Sequence, residues 1–198
     1  MAISVLQFFR SSADVRKIYD AIVDDMRIQD APAPGAIYHW CAPVSGGMQI
    51  CDLWETREDF DRFAEEKIGP LTAKHGLSAP TIDIMPVHER VEGRTNSRKG
   101  AGFFIEWDGD TQTLLQKVDD ANVRMNVAAD PPDGLVMHWS APSRTGIRVV
   151  DHWRSREDFE RFVQSRLAQT MEGIGMPQPR VTQFEVYNTI DPRVTART

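Results

Sequence analysis

Residues 35–63, GAIYHWCAPVSGGMQICDLWETREDFDRF, recur as residues 134–162, GLVMHWSAPSRTGIRVVDHWRSREDFERF. The offset is 99 residues and no gap is needed; 14 of the 29 paired positions are identical, among them His39/His138, Trp40/Trp139, Asp52/Asp151 and Trp54/Trp153. An ungapped match of this length, with two matched tryptophans, is an internal repeat, so the chain is two copies of one structural unit. All further reading works outward from this stretch.

Within it, Ala36–Ala42 and Met48–Trp54 read as two strands joined by the turn Ser45-Gly46-Gly47. Thr56 precedes Asp59 by three residues, a variant of the capping box. Phe60, Phe63, Ala64, Ile68 and Leu71 then give the apolar face of a helix, which Pro70 is expected to kink or split. Upstream, Ile3–Phe9 reads as a strand. Val15, Ile18, Tyr19, Ile22 and Met26 recur at helical spacing over roughly residues 12–28, after a Ser11/Ser12 cap. Downstream, Thr81–His88 is a fourth strand, with Pro86 suggesting an edge position. The order is β-α-β-β-α-β, the ferredoxin-like unit. The second copy repeats it with strands at Gly102–Trp107, Leu135–Ala141, Ile147–Trp153 and Arg180–Asn188. The expected organisation is a first unit at 1–90, a linker at 91–100, a second unit at 101–190 and a surface tail at 191–198.

Composition fits a soluble globular protein, with 41% hydrophobic and 26% charged residues. A net charge of −6 argues against a nucleic-acid or anionic-membrane surface. Cys41 and Cys51, the two cysteines, form neither a disulfide framework nor a metal motif. The first residues lack a basic leader with a long apolar run, and no apolar stretch approaches a membrane span, so a cytoplasmic location is expected.

Both faces of the hairpin are apolar. Helices cover one, and a second sheet is the natural cover for the other, since an apolar layer must be buried against something. The fold expected is therefore α+β: two tandem ferredoxin-like units whose antiparallel sheets pack into an intramolecular barrel. The chain would be a monomer with pseudo-two-fold symmetry, and the pattern neither requires nor forbids further homodimerisation.

With the turn centred between Ser45 and Gly46, His39 lies opposite Asp52 and Ile37 opposite Trp54; in the second copy His138 lies opposite Asp151 and Val136 opposite Trp153. A carboxylate on one ring nitrogen fixes the imidazole tautomer and raises its basicity. His39, Asp52, His138 and Asp151 are thus the candidate catalytic residues, suited to abstracting a proton from an acidic carbon or a phenol. Ile37, Cys41, Ile50 and Trp54, with Val136, Ser140 and Trp153, would wall an apolar pocket for an aromatic or otherwise apolar small molecule. The competing reading is structural, with each pair tying two strands together. The spacing of the four polar residues is no zinc motif, so no metal is expected. No phosphate loop, nucleophile elbow or zinc-protease helix is present, and no cofactor is expected.

The element order and the pattern G-x(3)-H…G-x(4)-D-x-W-x-[ST]-R-E-D-F, running from Gly35 to Phe60 and again from Gly134 to Phe159, resemble the dimeric α+β barrel superfamily. Within it the chain resembles in particular the small domains grouped with antibiotic-biosynthesis monooxygenases, here as a fused tandem. The resemblance covers nearly the whole chain and implies the barrel fold. It is compatible with cofactor-free monooxygenases, isomerases, peroxidases and haem-degrading enzymes. The expectation is a small-molecule enzyme with a barrel-interior pocket, a cofactor-free monooxygenase or isomerase using His–Asp proton abstraction. The alternatives are a non-catalytic ligand-binding or interaction protein and a haem binder.

Overall fold

A computed structural model describes residues 1–28 and 31–192. The first half runs β1 (Ile3–Arg10), α1 (Val15–Met26), β2 (Ala36–Val44), β3 (Gly47–Trp54), α2 (Arg57–Phe63), α3 (Gly69–Lys74) and β4 (Thr81–Pro86). The second runs β5 (Glu89–Glu92), β6 (Gly100–Asp108), α4 (Thr111–Met125), β7 (Leu135–Ser143), β8 (Gly146–Trp153), α5 (Arg156–Phe162), α6 (Ala168–Gly173), β9 (Arg180–Val186) and β10 (Asn188–Ile190). Among the described residues no helix is long and apolar enough to cross a membrane.

The strands form two five-stranded antiparallel sheets, ordered β10-β2-β3-β1-β4 and β5-β7-β8-β6-β9. Each is a β-α-β-β-α-β unit with one added strand, so the tandem ferredoxin-like α+β architecture is as the repeat implies. β4, which ends in Pro86, lies at a sheet edge, where a missing N–H costs no ladder bond.

The added strands change the division of the chain. One compact unit comprises residues 1–86 and 186–198, the other residues 87–185. The segment expected as linker begins with Val91 and Glu92, which pair with His138 and Met137 on β7. At the other end Asn188, Thr189 and Ile190 pair with Cys41, Trp40 and His39 on β2. Of the expected tail, Asp191 is buried and residues 193–198 lie outside the described residues.

Local chemistry explains the helix starts. Thr56 Oγ1 accepts the Asp59 N–H at 3.1 Å and Ser155 Oγ the Asp158 N–H at 3.2 Å, the expected caps in both copies. α1 starts three residues later than its serines suggest. Ser11 Oγ accepts the Ala13 N–H at 3.1 Å and so closes a turn before the helix. Between α2 and α3 the helix is continued by a π-helical run, Ala64–Ile68, and between α5 and α6 by another, Val163–Leu167. Pro70 is therefore not what widens the helix, because Gln169 occupies its place in the second copy.

Each sheet buries one face against its own helices. In the first unit this face carries Ile3, Val5, Phe9, Met48, Ile50 and Trp54, packed with Tyr19, Phe60 and Ile68. The residues that alternate with them, among them Leu6, Trp40, Cys51 and Leu53, are also buried. Fully buried Trp40 and Trp139 are core residues on that second face.

Candidate functional site

β2 and β3 place His39 directly opposite Asp52, and β7 and β8 place His138 opposite Asp151, the register expected from the turn. In each pair Nδ1 donates to Oδ1 of the aspartate at 2.7 Å. The two pairs differ in the other hydrogen-bond partners they find.

In the first unit the pair is the middle of a longer chain of hydrogen bonds. Gln7 Nε2, from β1, donates to Asp52 Oδ2 at 2.9 Å. His39 Nε2 meets Tyr19 Oη, from α1, at 2.8 Å, and Asn188 Nδ2, from β10, donates to the same oxygen at 3.1 Å. Burial works against the His39 imidazolium, but the charge and hydrogen bond of Asp52, helped by Cys41, outweigh it and raise its pKa to about 10. His39 therefore carries its second proton at neutral pH and donates to Tyr19. Burial, with Cys41 next, pushes the Tyr19 phenol well above its ordinary value, so it stays neutral.

Gln7, Asp52, His39 and Tyr19 form a polar patch in a largely apolar cavity between the sheet and its helices. α1 contributes Val15, Ile22, Val23 and Met26, the sheet contributes Phe9, Met48, Ile50 and Trp54, and β10 contributes Ile190. The centres of water-sized molecules can range over about 100 Å³ in it. A single water needs about 10–15 Å³ on this measure, so a small organic molecule is within its capacity.

In the second unit Val118 stands where α1 has Tyr19, and Ile105 where β1 has Gln7. His138 Nε2 is buried without a hydrogen-bond partner, and Asp151 Oδ2 accepts from Trp153 Nε1 at 3.1 Å instead. Burial again opposes the charged imidazole, yet Asp151, with Glu89 adding, raises His138 above its ordinary value. The corresponding cavity, about 50 Å³, is half as large. His152 points to the other face, 3.3 Å from the Lys99 carbonyl, and burial lowers its pKa to about 4.

Two sequence expectations need correction. The His–Asp pairs do not face a barrel interior; they lie on the sheet face covered by each unit's own helices, with the cavities between. Periodicity could not choose the face, because both faces are apolar. Ile37 and Val136 do not oppose the tryptophans. A β-bulge between Ala36 and Tyr38, and another between Leu135 and Met137, inserts one residue, so Ala36 pairs with Trp54 and Leu135 with Trp153. Ala36 and Leu135 line the cavities in their place.

Ile50, Trp54 and Trp153 line their cavities, and Cys41 packs beside Phe9, Tyr19, Met48 and Ile50. Ser140 is fully buried on β7. The sequence reading missed Gln7, Tyr19 and Asn188. Tyr19 was visible only as one member of a helical apolar stripe; Gln7, a lone amide in an apolar strand, was the available signal. Among the described residues no three His, Cys, Asp or Glu side chains converge as metal ligands.

No protein-family model matches the chain, and no curated protein matches it. Solved structures do match. A proposed monooxygenase from Fusobacterium nucleatum superposes with a TM-score of 0.73 at 7% identity, over 96% of this chain and 94% of its own. One from Lactobacillus acidophilus gives 0.71 at 8% identity, over 94% and 93%. An anthrone oxidase-like protein gives 0.52 at 13% identity, over 96% and 92%. At these identities the likeness is one of fold. The chain has the ferredoxin-like α+β fold of these monooxygenase-like proteins, carried as a tandem repeat.

Proposed function

We propose that the protein is a small-molecule enzyme whose working site is the first unit's cavity. The substrate class is a small, largely apolar molecule with an acidic O–H or C–H, and the chemistry is proton-coupled oxygenation or isomerisation. The observation that carries this reading is the hydrogen-bonded chain Gln7–Asp52–His39–Tyr19, braced by Asn188 and lining a largely apolar cavity. Such a cavity, mostly apolar with a few convergent polar groups, is what an orienting site for a small ligand requires.

The electrostatics refine the role of His39. An imidazole whose pKa is about 10 does not begin as a free base at neutral pH. It serves better as a fixed positive charge that favours the ionised form of the substrate, delivered through the Tyr19 hydroxyl. Because the imidazolium is already protonated, the substrate proton passes to solvent and the substrate is held as its anion, whose ionisation the positive charge of His39 favours. An electron-rich carbanion or phenolate is the species that meets dioxygen without a cofactor, and it is also the intermediate of a proton-shift isomerisation.

The test is oxygen uptake and product mass spectrometry with a panel of small phenols and enolisable ketones. Turnover is expected to fall by about a hundredfold or more in His39→Gln, as for loss of a group that stabilises the developing anion, and to persist in His138→Gln. Undiminished turnover in His39→Gln would sink the proposal.

A second reading is favoured by the closure of the network itself. Both ring nitrogens of His39 are engaged, which suits a non-catalytic binding protein; ligand retained without product by mass spectrometry would establish it. Haem fits less well, because His39 offers no unengaged nitrogen, and His138, whose Nε2 is unpartnered, faces a cavity half as large.

A further inference from the structure

The two units hold their aspartates differently, and the difference leaves two buried groups of the first cavity without protein partners. In the second unit the tryptophan two residues after the aspartate donates to it, Trp153 Nε1 to Asp151 Oδ2 at 3.1 Å. In the first unit Gln7 Nε2 occupies that carboxylate oxygen. Trp54 Nε1 is buried with no hydrogen-bond partner in the protein, and so is Gln7 Oε1. Both side chains are almost wholly buried, Gln7 at 2% and Trp54 at 3% exposure, and both line the cavity. The amide orientation of Gln7 is fixed by chemistry, since a carboxylate can only accept and must face the NH₂ end. The unpartnered atom is therefore an acceptor, and the unpartnered indole N–H is a donor.

We propose that Gln7 and Trp54 are specificity-determining residues: Gln7 Oε1 receives a hydrogen bond from a hydroxyl of the ligand, and Trp54 Nε1 donates to an oxygen of the same ligand. The inference rests on the cavity being a ligand site, and it narrows the class to small hydroxylated aromatics. Buried polar atoms left unpaired select strongly against ligands that cannot pair them. An apolar molecule of the same shape would leave both groups unsatisfied, whereas a hydroxylated one pairs them. The second unit, with Ile105 in place of Gln7 and its tryptophan already bonded, lacks this pairing of an amide acceptor with an indole donor.

Phenol, anisole and toluene separate the parts of the proposal, being similar in size and respectively donor and acceptor, acceptor only, and neither. Binding is read by titration of the ¹H–¹⁵N spectrum of the whole protein, with the Trp54 indole signal assigned through Trp54→Phe. The wild type is expected to prefer phenol to anisole by about tenfold, the size of one buried hydrogen bond. The Trp54 indole N–H signal is expected to move downfield with phenol and anisole and to stay in place with toluene. Gln7→Met, which keeps volume and removes the acceptor, should abolish the preference for phenol.

Equal affinity of the wild type for phenol and anisole overturns the Gln7 assignment without recourse to any variant, and so does a preference that survives in Gln7→Met. An indole signal that responds alike to all three probes overturns the Trp54 assignment. Binding of all three without preference would leave the cavity a ligand site and sink only this inference; binding of none would sink both it and the proposed function.

Discussion

Asp52 satisfies three demands at once, and this sets how the protein should respond to pH. It takes the Gln7 amide on one oxygen and the His39 ring on the other, while its charge stabilises the imidazolium. A histidine whose folded pKa is raised from 6.5 to about 10 binds its proton more tightly in the folded state. Its contribution to stability is fully present below pH 6.5 and is lost as pH rises towards 10. His152 acts in the opposite sense. Burial lowers it to about 4, so it stabilises the fold above pH 6.5 and that contribution is lost as pH falls towards 4. Urea unfolding followed from pH 4 to 10 should therefore show a midpoint that falls on both sides of neutrality. His39→Gln should flatten the alkaline limb, and an alkaline limb of unchanged slope in that variant would contradict the assignment. At this scale the sequence disclosed the opposed histidines and aspartates through the turn alone. It did not disclose the atoms that finish the network. Gln7 and Tyr19 each come from an element whose pattern reports burial, and burial does not say what a polar tip will meet.

The elements around the site are aimed by two features that strand alternation does not encode. One is the bulge that puts Ala36 rather than Ile37 opposite Trp54; inserting one residue reverses which side chains face the cavity, and an apolar run hides it. The other is Gly35, the first residue of the repeated motif. It sits at φ +81°, and a Cβ there would lie 2.5 Å from the Asp59 carboxyl at the start of α2. Its carbonyl accepts the Glu55 N–H at 2.8 Å, so the entrance to β2 is tied to the residue just past β3 and lies against the helix that follows. Gly134 repeats the arrangement against Asp158, at φ +86°. Gly46, in the hairpin turn, has a similar φ of +82° but nothing within 4 Å of an added Cβ. The two glycines thus separate backbone strain from crowding. Gly46→Ala should cost about 1–2 kcal/mol, the left-handed penalty alone. Gly35→Ala should cost at least about 1 kcal/mol more, in the range of an overpacked core site, because Asp59 must leave its cap. Chemical denaturation of the two variants measures the difference, and equal losses would show that the contact with Asp59 yields freely.

At the scale of the whole chain, the repeat was legible because it is written in matched residues, but the pairing of its ends was not. VEGRTNSRKG is polar enough to read as a linker, and Tyr187 and Asn188 read as the end of the last strand. Only the structure reveals that residues 89–92 complete one sheet and residues 188–190 the other. The consequence is that the first unit is finished last. Its cavity is walled in part by Ile190, and its Tyr19 hydroxyl is held by Asn188, both encoded after the entire second unit. A chain ending at Tyr187 should therefore damage the first unit selectively. It loses the ladder from β10 to β2 and the burial of Ile190, which is 6% exposed and worth about 1.5–3 kcal/mol as a buried aliphatic side chain. Hydrogen exchange on the truncated protein should show faster exchange across β2 and α1, while β7 and β8, whose neighbours all lie within residues 87–185, keep their protection. A synthetic peptide covering residues 186–192 should restore protection to β2 in a concentration-dependent way, because it supplies the same strand without the covalent link. Undiminished protection in the truncated chain would mean that β10 is dispensable, and the first cavity would then owe nothing to the C-terminal strand.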